Sequence, residues 1–186
     1  MELRQAIRSR HAVRSYSGRS VGQAEVQQLL EAAVRAPNAR NEQPWSFAIV
    51  QDRELLQRFS DQTKTLMSAD GEVGSAATRA LLRNPRFDVF YGAGTLIVIC
   101  GKVDDEYAVA DCWLAAENLM LTACDLGLGT CPVGSSLAVL NWAQSKAELV
   151  IPRGIAAIAP IVVGYPDEPV ALSTPRVAPR ILSFRR

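Results

Sequence analysis

Histidine occurs once in this chain, at position 11, and that scarcity removes several kinds of chemistry at once. A Ser–His–Asp set has no plausible members, because the one imidazole sits in a basic cluster near the N-terminus. A zinc site is not expected either: the four cysteines, Cys100, Cys112, Cys124 and Cys131, form no CxxC pair and lie far in sequence from His11. They read as reduced, mostly buried thiols of a cytosolic protein. GxSxG, P-loop, HExxH and EF-hand patterns are absent, and no GxGxxG follows a strand, so a Rossmann unit is poorly supported. Net charge is only +1, too little to gather nucleic acid or an acidic membrane surface. The longest apolar stretch, near residues 107–126, carries Asp111, Glu117 and Asp125, which argues against a membrane span. Met1 is followed at once by charged, helix-like sequence with no apolar leader, so a cytoplasmic protein is expected. If such a chain is an enzyme, a cofactor carries the reaction, and no side chain is singled out as catalytic.

What is present is a chain of one-domain size, 186 residues with 48% hydrophobic side chains, enough for a substantial core. One domain over 1–186 is expected. Leu3, Ala6 and Ile7 share a face of a short first helix. Val26, Leu29, Leu30 and Ala33 mark a second over about 23–36, stopped by Pro37. SFAIVQ (46–51) fits a buried strand, and Leu55, Leu56 and Phe59 a helix after it. TLIVIC (95–100) is the strongest strand, β-branched and apolar throughout. Residues 105–127 read as one long helix, apolar on nearly every side and ended by Gly127; a second subunit could supply one of its faces. Residues 136–149 predict a further helix, and 155–165 a closing strand. The tail 166–186, rich in Pro and Arg, is expected to be extended. The irregular alternation favours a three-layer α+β domain around a mixed sheet.

Four segments are suited to holding a ligand. SRHAVRSYS (9–17) gathers Arg10, His11 and Arg14 beside Arg8, and arginine's planar fork suits phosphate. Taken alone, the window is more readily a solvated helix end. APNARNEQPW (36–45) places Pro37, Asn38, Asn41 and Gln43 between helix and strand. Its carboxamides can both donate and accept, which suits the alternating edges of a flavin or a nucleobase; alone it is more readily a helix stop and turn. GLGTCPVGSS (127–136) could let backbone N–H groups approach a planar ligand, although alone it is more readily a tight turn. Arg176 and Arg180 in the tail either return to an anion or stay on the surface.

Taken in order, these segments resemble the FMN-dependent nitroreductase family over nearly the whole chain, most weakly at 60–85 and in the tail. SRHAVRSYS is similar to its N-terminal arginine motif. LLEAAVRAPNARNEQPWSFAIVQD is similar to its helix, flavin loop and first strand. DCWLAAENLMLTACDLGLGTCPVGS resembles its interface helix and glycine turn. The resemblance implies a three-layer α+β fold with a mixed, mostly antiparallel central sheet flanked by helices, in an intertwined homodimer with FMN at the subunit interface. It implies that Arg10 and His11, with Arg14 nearby, face the FMN phosphate or ribityl chain. Pro37, Asn38, Asn41 and Gln43 would contact the isoalloxazine. Val133, Gly134 and Ser135 would bring N–H groups near flavin N5, and Arg176, rather than Arg180, would complete the phosphate site. Two positions depart from the family pattern: Ala12, where serine is usual, removes a phosphate hydroxyl contact, and Asn38 stands where serine is common. The implied activity is ping-pong hydride transfer from NADH or NADPH through flavin N5 to a nitroaromatic, quinone or similar small acceptor, without metal, membrane or nucleic acid. The alternatives are reductive dehalogenation, flavin fragmentation, or flavin binding without catalysis.

Overall fold

The computed structural model describes residues 1–17, 19–69, 76–167 and 176–185. Its centre is β2 (Thr95–Lys102), a run of apolar residues that is buried on both faces. Leu96, Val98 and Cys100 point to one side, toward Leu56 and Phe59 of α3 (Arg53–Ala69) and Val139 and Leu140 of α6 (Leu137–Leu140). Ile97 and Ile99 point to the other, toward Leu29 of α2 (Gln23–Ala33) and Cys112, Ala116 and Leu119 of α5 (Ala108–Asp125). A strand covered on both faces gains nothing from alternation, which is why it reads as a continuous apolar run. The result is a helix–sheet–helix sandwich.

The sheet order is β1-β2-β4-β3, with β1 at Ser46–Val50, β3 at Gly129–Pro132 and β4 at Ile155–Gly164, and every named neighbour is antiparallel. The parallel component is a bridge between Ala12 and Thr130, where Val13 N–H donates to the Thr130 carbonyl at 2.9 Å. A bulge at Ile99/Cys100 leaves Ile158 without a cross-strand partner, so Ile158 and Ala159 both face the α2/α5 side.

Most expected elements appear within a few residues. α1 (Leu3–Ser9) buries only Ala6, while Leu3 and Ile7 are exposed, so its apolar face is not used within the chain. α2 ends at Ala33, a turn earlier than expected, as the helix conformation is disfavoured just before Pro37. The helix expected over 136–149 is broken. Asn141 donates to the Leu137 and Ala157 carbonyls, both at 3.0 Å, and accepts from Ala157 N–H at 2.9 Å. This clamp onto β4 ends α6 at Leu140, and α7 (Ala143–Glu148) starts afresh after an extended Trp142. α4 (Ala76–Arg83) follows α3 in the stretch that the sequence left open. Of the tail, 176–185 has no helix or strand. No described helix is long and apolar enough to cross a membrane.

Candidate functional site

α5 runs into β3 through a glycine turn that brings two of the candidate segments together. Gly127, at φ +73°, donates to the Cys124 carbonyl at 3.2 Å, and Leu128 N–H reaches back to Ala123 at 2.8 Å. That is a Schellman end, which glycine adopts without strain. Gly129 then lies against Val13, and any Cβ there would stand 2.8 Å from the valine side chain. The missing side chain is what lets residues 12–13 pair with β3. Arg10 and His11 are thereby set beside Gly127–Thr130, and with Cys124 and Met1 they line a cavity of about 180 Å³. Small-ligand pockets usually enclose roughly 300–1,000 Å³. This one suits a phosphate-sized group and is too small for a whole nucleotide.

Within this cluster His11 Nδ1 lies 2.9 Å from the Ser9 carbonyl, so it is held as a donor. Arg10 Nε stands 3.2 Å from Glu117 Oε1 on α5, a pairing that apolar periodicity had no means of announcing. Arg14 is exposed and stands over the Tyr91 ring at 5.9 Å. At the far end of β3, Val133 N–H is already donated to the Pro160 carbonyl at 2.9 Å, which leaves it unable to serve a ligand. Gly134 and Ser135 are exposed and open a 3-10 turn (Gly134–Ser136), where N–H groups have no acceptor within the helix. A Cβ on Gly134 would meet nothing within 4 Å. Internal packing therefore does not demand glycine there.

The loop at 36–45 lies elsewhere. Arg40, Asn41 and Gln43 have φ of 53°, 57° and 50°, left-handed values that cost energy for residues with side chains. The loop is held by its own groups and by α5. Asn38 Oδ1 accepts from Gln43 N–H at 2.8 Å, while its Nδ2 approaches the Ala36 carbonyl at 3.5 Å. The unusual Asn38 thus braces the loop, and its carboxamide is turned inward. Pro37, Asn41 and Gln43 are exposed. Ala39 N–H is bound by both oxygens of Asp111, at 3.3 and 3.1 Å, and Arg40 stands 5.6 Å over the Tyr107 ring. Asp111 was noticed in the sequence only as a charge that disfavours a membrane span. Its place one turn into a helix otherwise rich in apolar residues was the available signal.

The two halves are therefore anchored near opposite ends of α5. Asp111 touches the loop and Cys124 touches the basic cavity; thirteen residues of helix separate them by about 20 Å. One chain brings the arginine window and the glycine turn together along β3 but leaves the carboxamide loop apart. Arg176 and Arg180 are exposed, beyond a stretch outside the described residues. Burial pushes the Cys100 thiol up to about 11 and that of Cys112 to about 12, so neither offers a thiolate near neutrality. No His/Cys/Asp/Glu group among the described residues could hold a metal.

Residues 7–165 match the model of the nitroreductase family. The chain belongs to the nitroreductase family. An Archaeoglobus fulgidus relative, provisionally named an NADH dehydrogenase/NAD(P)H nitroreductase, is 30% identical over 172 residues, covering 90% of this chain and 87% of that protein. A Bacillus subtilis relative named FMN reductase [NAD(P)H] is 28% identical over 179 residues, covering 90% and 67%. The crystal structure of a Bacteroides fragilis nitroreductase with bound FMN superimposes with a TM-score of 0.83 over the full length of both chains at 22% identity. At that identity the likeness speaks for the fold: the nitroreductase-type three-layer α+β architecture is the one described above.

Proposed function

We propose that this nitroreductase-family chain is an FMN-dependent oxidoreductase that uses NADH or NADPH to reduce nitroaromatics, quinones or similar small acceptors, working as a homodimer. The observation that carries the proposal is the placement of the basic window 10–14 alongside β3, with free-standing N–H donors at Gly134 and Ser135 at the strand's end. The residues present fit FMN: a phosphate-sized cavity beside Arg10 and His11, an open face at Gly134 that a Cβ would begin to fill, and exposed carboxamides at Asn41 and Gln43. FMN, when bound, supplies the redox chemistry by accepting a hydride at N5 and passing it on.

The chain's own part is to bind and orient. Arg10 and His11 would hold the phosphate through charge-assisted hydrogen bonds. Gly134 and Ser135 would donate backbone N–H groups at N5, with Val133 fixing the turn through Pro160. Arg14 would stand nearby, toward the phosphate or ribityl chain. Pro37, Asn41 and Gln43 would cover the ring system, with Asn38 bracing them, and Arg176 would reach the phosphate from the tail. The attachment of the loop and the basic cavity to different turns of α5, at Asp111 and Cys124, supports a site completed by a second subunit. The apolar face left exposed on α5 by Val109, Trp113 and Leu114, with Leu3 and Ile7 of α1, supports the same reading.

The test is an absorbance spectrum of the purified protein, followed by anaerobic titration with each nicotinamide. A yellow protein bleached by NADH or NADPH and reoxidised by a nitroarene or quinone is expected. Colourless protein that takes up no FMN and oxidises no nicotinamide would refute the proposal. Light scattering should give twice the chain mass, and a monomer saturated with FMN would contradict the dimer.

A further inference from the structure

Asp111 is 5% exposed, and no salt-bridge partner is found for it among the described residues. A buried carboxylate needs hydrogen bonds or favourable dipoles. Both are present: it lies in the first turn of α5, where the helix dipole favours negative charge, and both its oxygens reach Ala39 N–H. Ala39 is the residue immediately before the left-handed run at Arg40 and Asn41. The carboxylate therefore grips the loop where its strain begins, from an element 72 positions away in sequence. Tyr107, the residue before α5, adds a second hold by lying under Arg40.

We infer that Asp111 is a positioning residue for flavin binding: by anchoring Ala39 N–H it holds residues 38–43 in the strained conformation that presents Asn41 and Gln43. Asp111 does not touch the ligand. The inference rests on the proposed FMN function. Without the anchor, the unliganded loop relaxes from its left-handed residues toward ordinary backbone. FMN binding must then restore the strained form, and affinity falls by the fraction of molecules that still hold it.

Both partners of the contact can be removed separately. Asp111→Ala deletes the acceptor, and Asp111→Asn keeps one oxygen acceptor but loses the charge. Ala39→Pro deletes the donor at a position whose backbone accepts proline, the ring displacing the Asp111 carboxylate: Ala39 opens a 3-10 turn, and Asn38 before it is extended at φ −151°, ψ 154°. FMN dissociation constants are measured on full-length apoprotein by quenching of flavin fluorescence. Asp111→Ala and Ala39→Pro should each weaken FMN by roughly 10-fold or more, the scale of a charge-assisted hydrogen bond. Asp111→Asn should remain within about 3-fold of wild type, a rescue that a requirement for charge would not produce, while Ala39→Pro, which leaves the Asp111 side chain whole, separates the hydrogen bond from side-chain volume. In the absence of flavin, hydrogen exchange at Gln43 N–H should speed up in Asp111→Ala and not in Asp111→Asn. Wild-type affinity in Asp111→Ala or in Ala39→Pro would overturn the inference and leave the FMN function standing. So would an Asn variant as weak as the Ala variant. If Asp111→Ala does not fold, the Asn and Pro variants decide by the same criteria. Wild-type protein that takes up no FMN would sink the functional proposal and this inference with it.

Discussion

Replacing Arg10 with alanine separates two roles that one side chain plays in this structure. Its Nε pairs with Glu117 at 3.2 Å, and the two side chains are 23% and 46% exposed. An ion pair so open to water is worth about 0–1 kcal/mol, and less in salt. Arg10→Ala should therefore change apoprotein stability by under about 1 kcal/mol, or roughly 2–4 °C in Tm for a chain of this length. Its contribution to the proposed phosphate site is larger. A hydrogen bond to a charged group is worth about 1.5–3 kcal/mol, so FMN affinity should fall roughly 10- to 150-fold. Glu117→Gln provides the control, because it releases Arg10 without removing it. That variant should bind FMN at least as tightly as wild type. The assay is titration of apoprotein with FMN at low ionic strength, paired with thermal unfolding of the apo form. Unchanged affinity in Arg10→Ala would remove Arg10 from the phosphate site. A loss of several kcal/mol in apo stability would mean that the affinity change reports folding instead.

Two further outcomes follow from the geometry. Val150 is 85% exposed and left-handed at φ 55°, closing α7 with Ile151 N–H bonded back to Lys146 at 2.8 Å. Glycine is the residue for that position, so Val150→Gly should raise stability by about 0.5–1 kcal/mol, seen as a small rise in Tm; a fall would refute the prediction. Alkylation with iodoacetamide near pH 8 should modify the half-buried Cys124 first and spare Cys100 and Cys112, whose thiols stay protonated there, and FMN should slow labelling of Cys124. Mass mapping that finds Cys112 modified first in folded protein would contradict this order.

What could be read in advance was what depends on local sequence. The β-branched run at 95–100 announced the central strand, and Gly127 announced the end of α5, because both follow from conformational preference alone. The arginine window and glycine turn were each ambiguous in isolation. Their adjacency depends on Gly129 admitting Val13, a tertiary fact. Asn141 breaks a helix that propensity allowed, because its carboxamide finds Ala157, sixteen residues on, beside the β4 bulge. Asp111 and Glu117 escaped notice as functional groups for a similar reason: a single charge on an apolar helix acquires meaning only from what faces it. Val133 was expected to offer its N–H, and the ladder to Pro160 had already claimed it.

The two rims of the sheet are not equivalent. β3 is shielded along its outer side by residues 12–13, whereas β1, five residues long with Ile49 exposed, has only β2 beside it among the described residues. A bare rim of this kind presents unsatisfied backbone groups as a template for any extended chain that passes. A lone subunit is thus poorly protected against sticking to its neighbours. If the proposed second subunit covers this rim, apparent stability should rise with protein concentration.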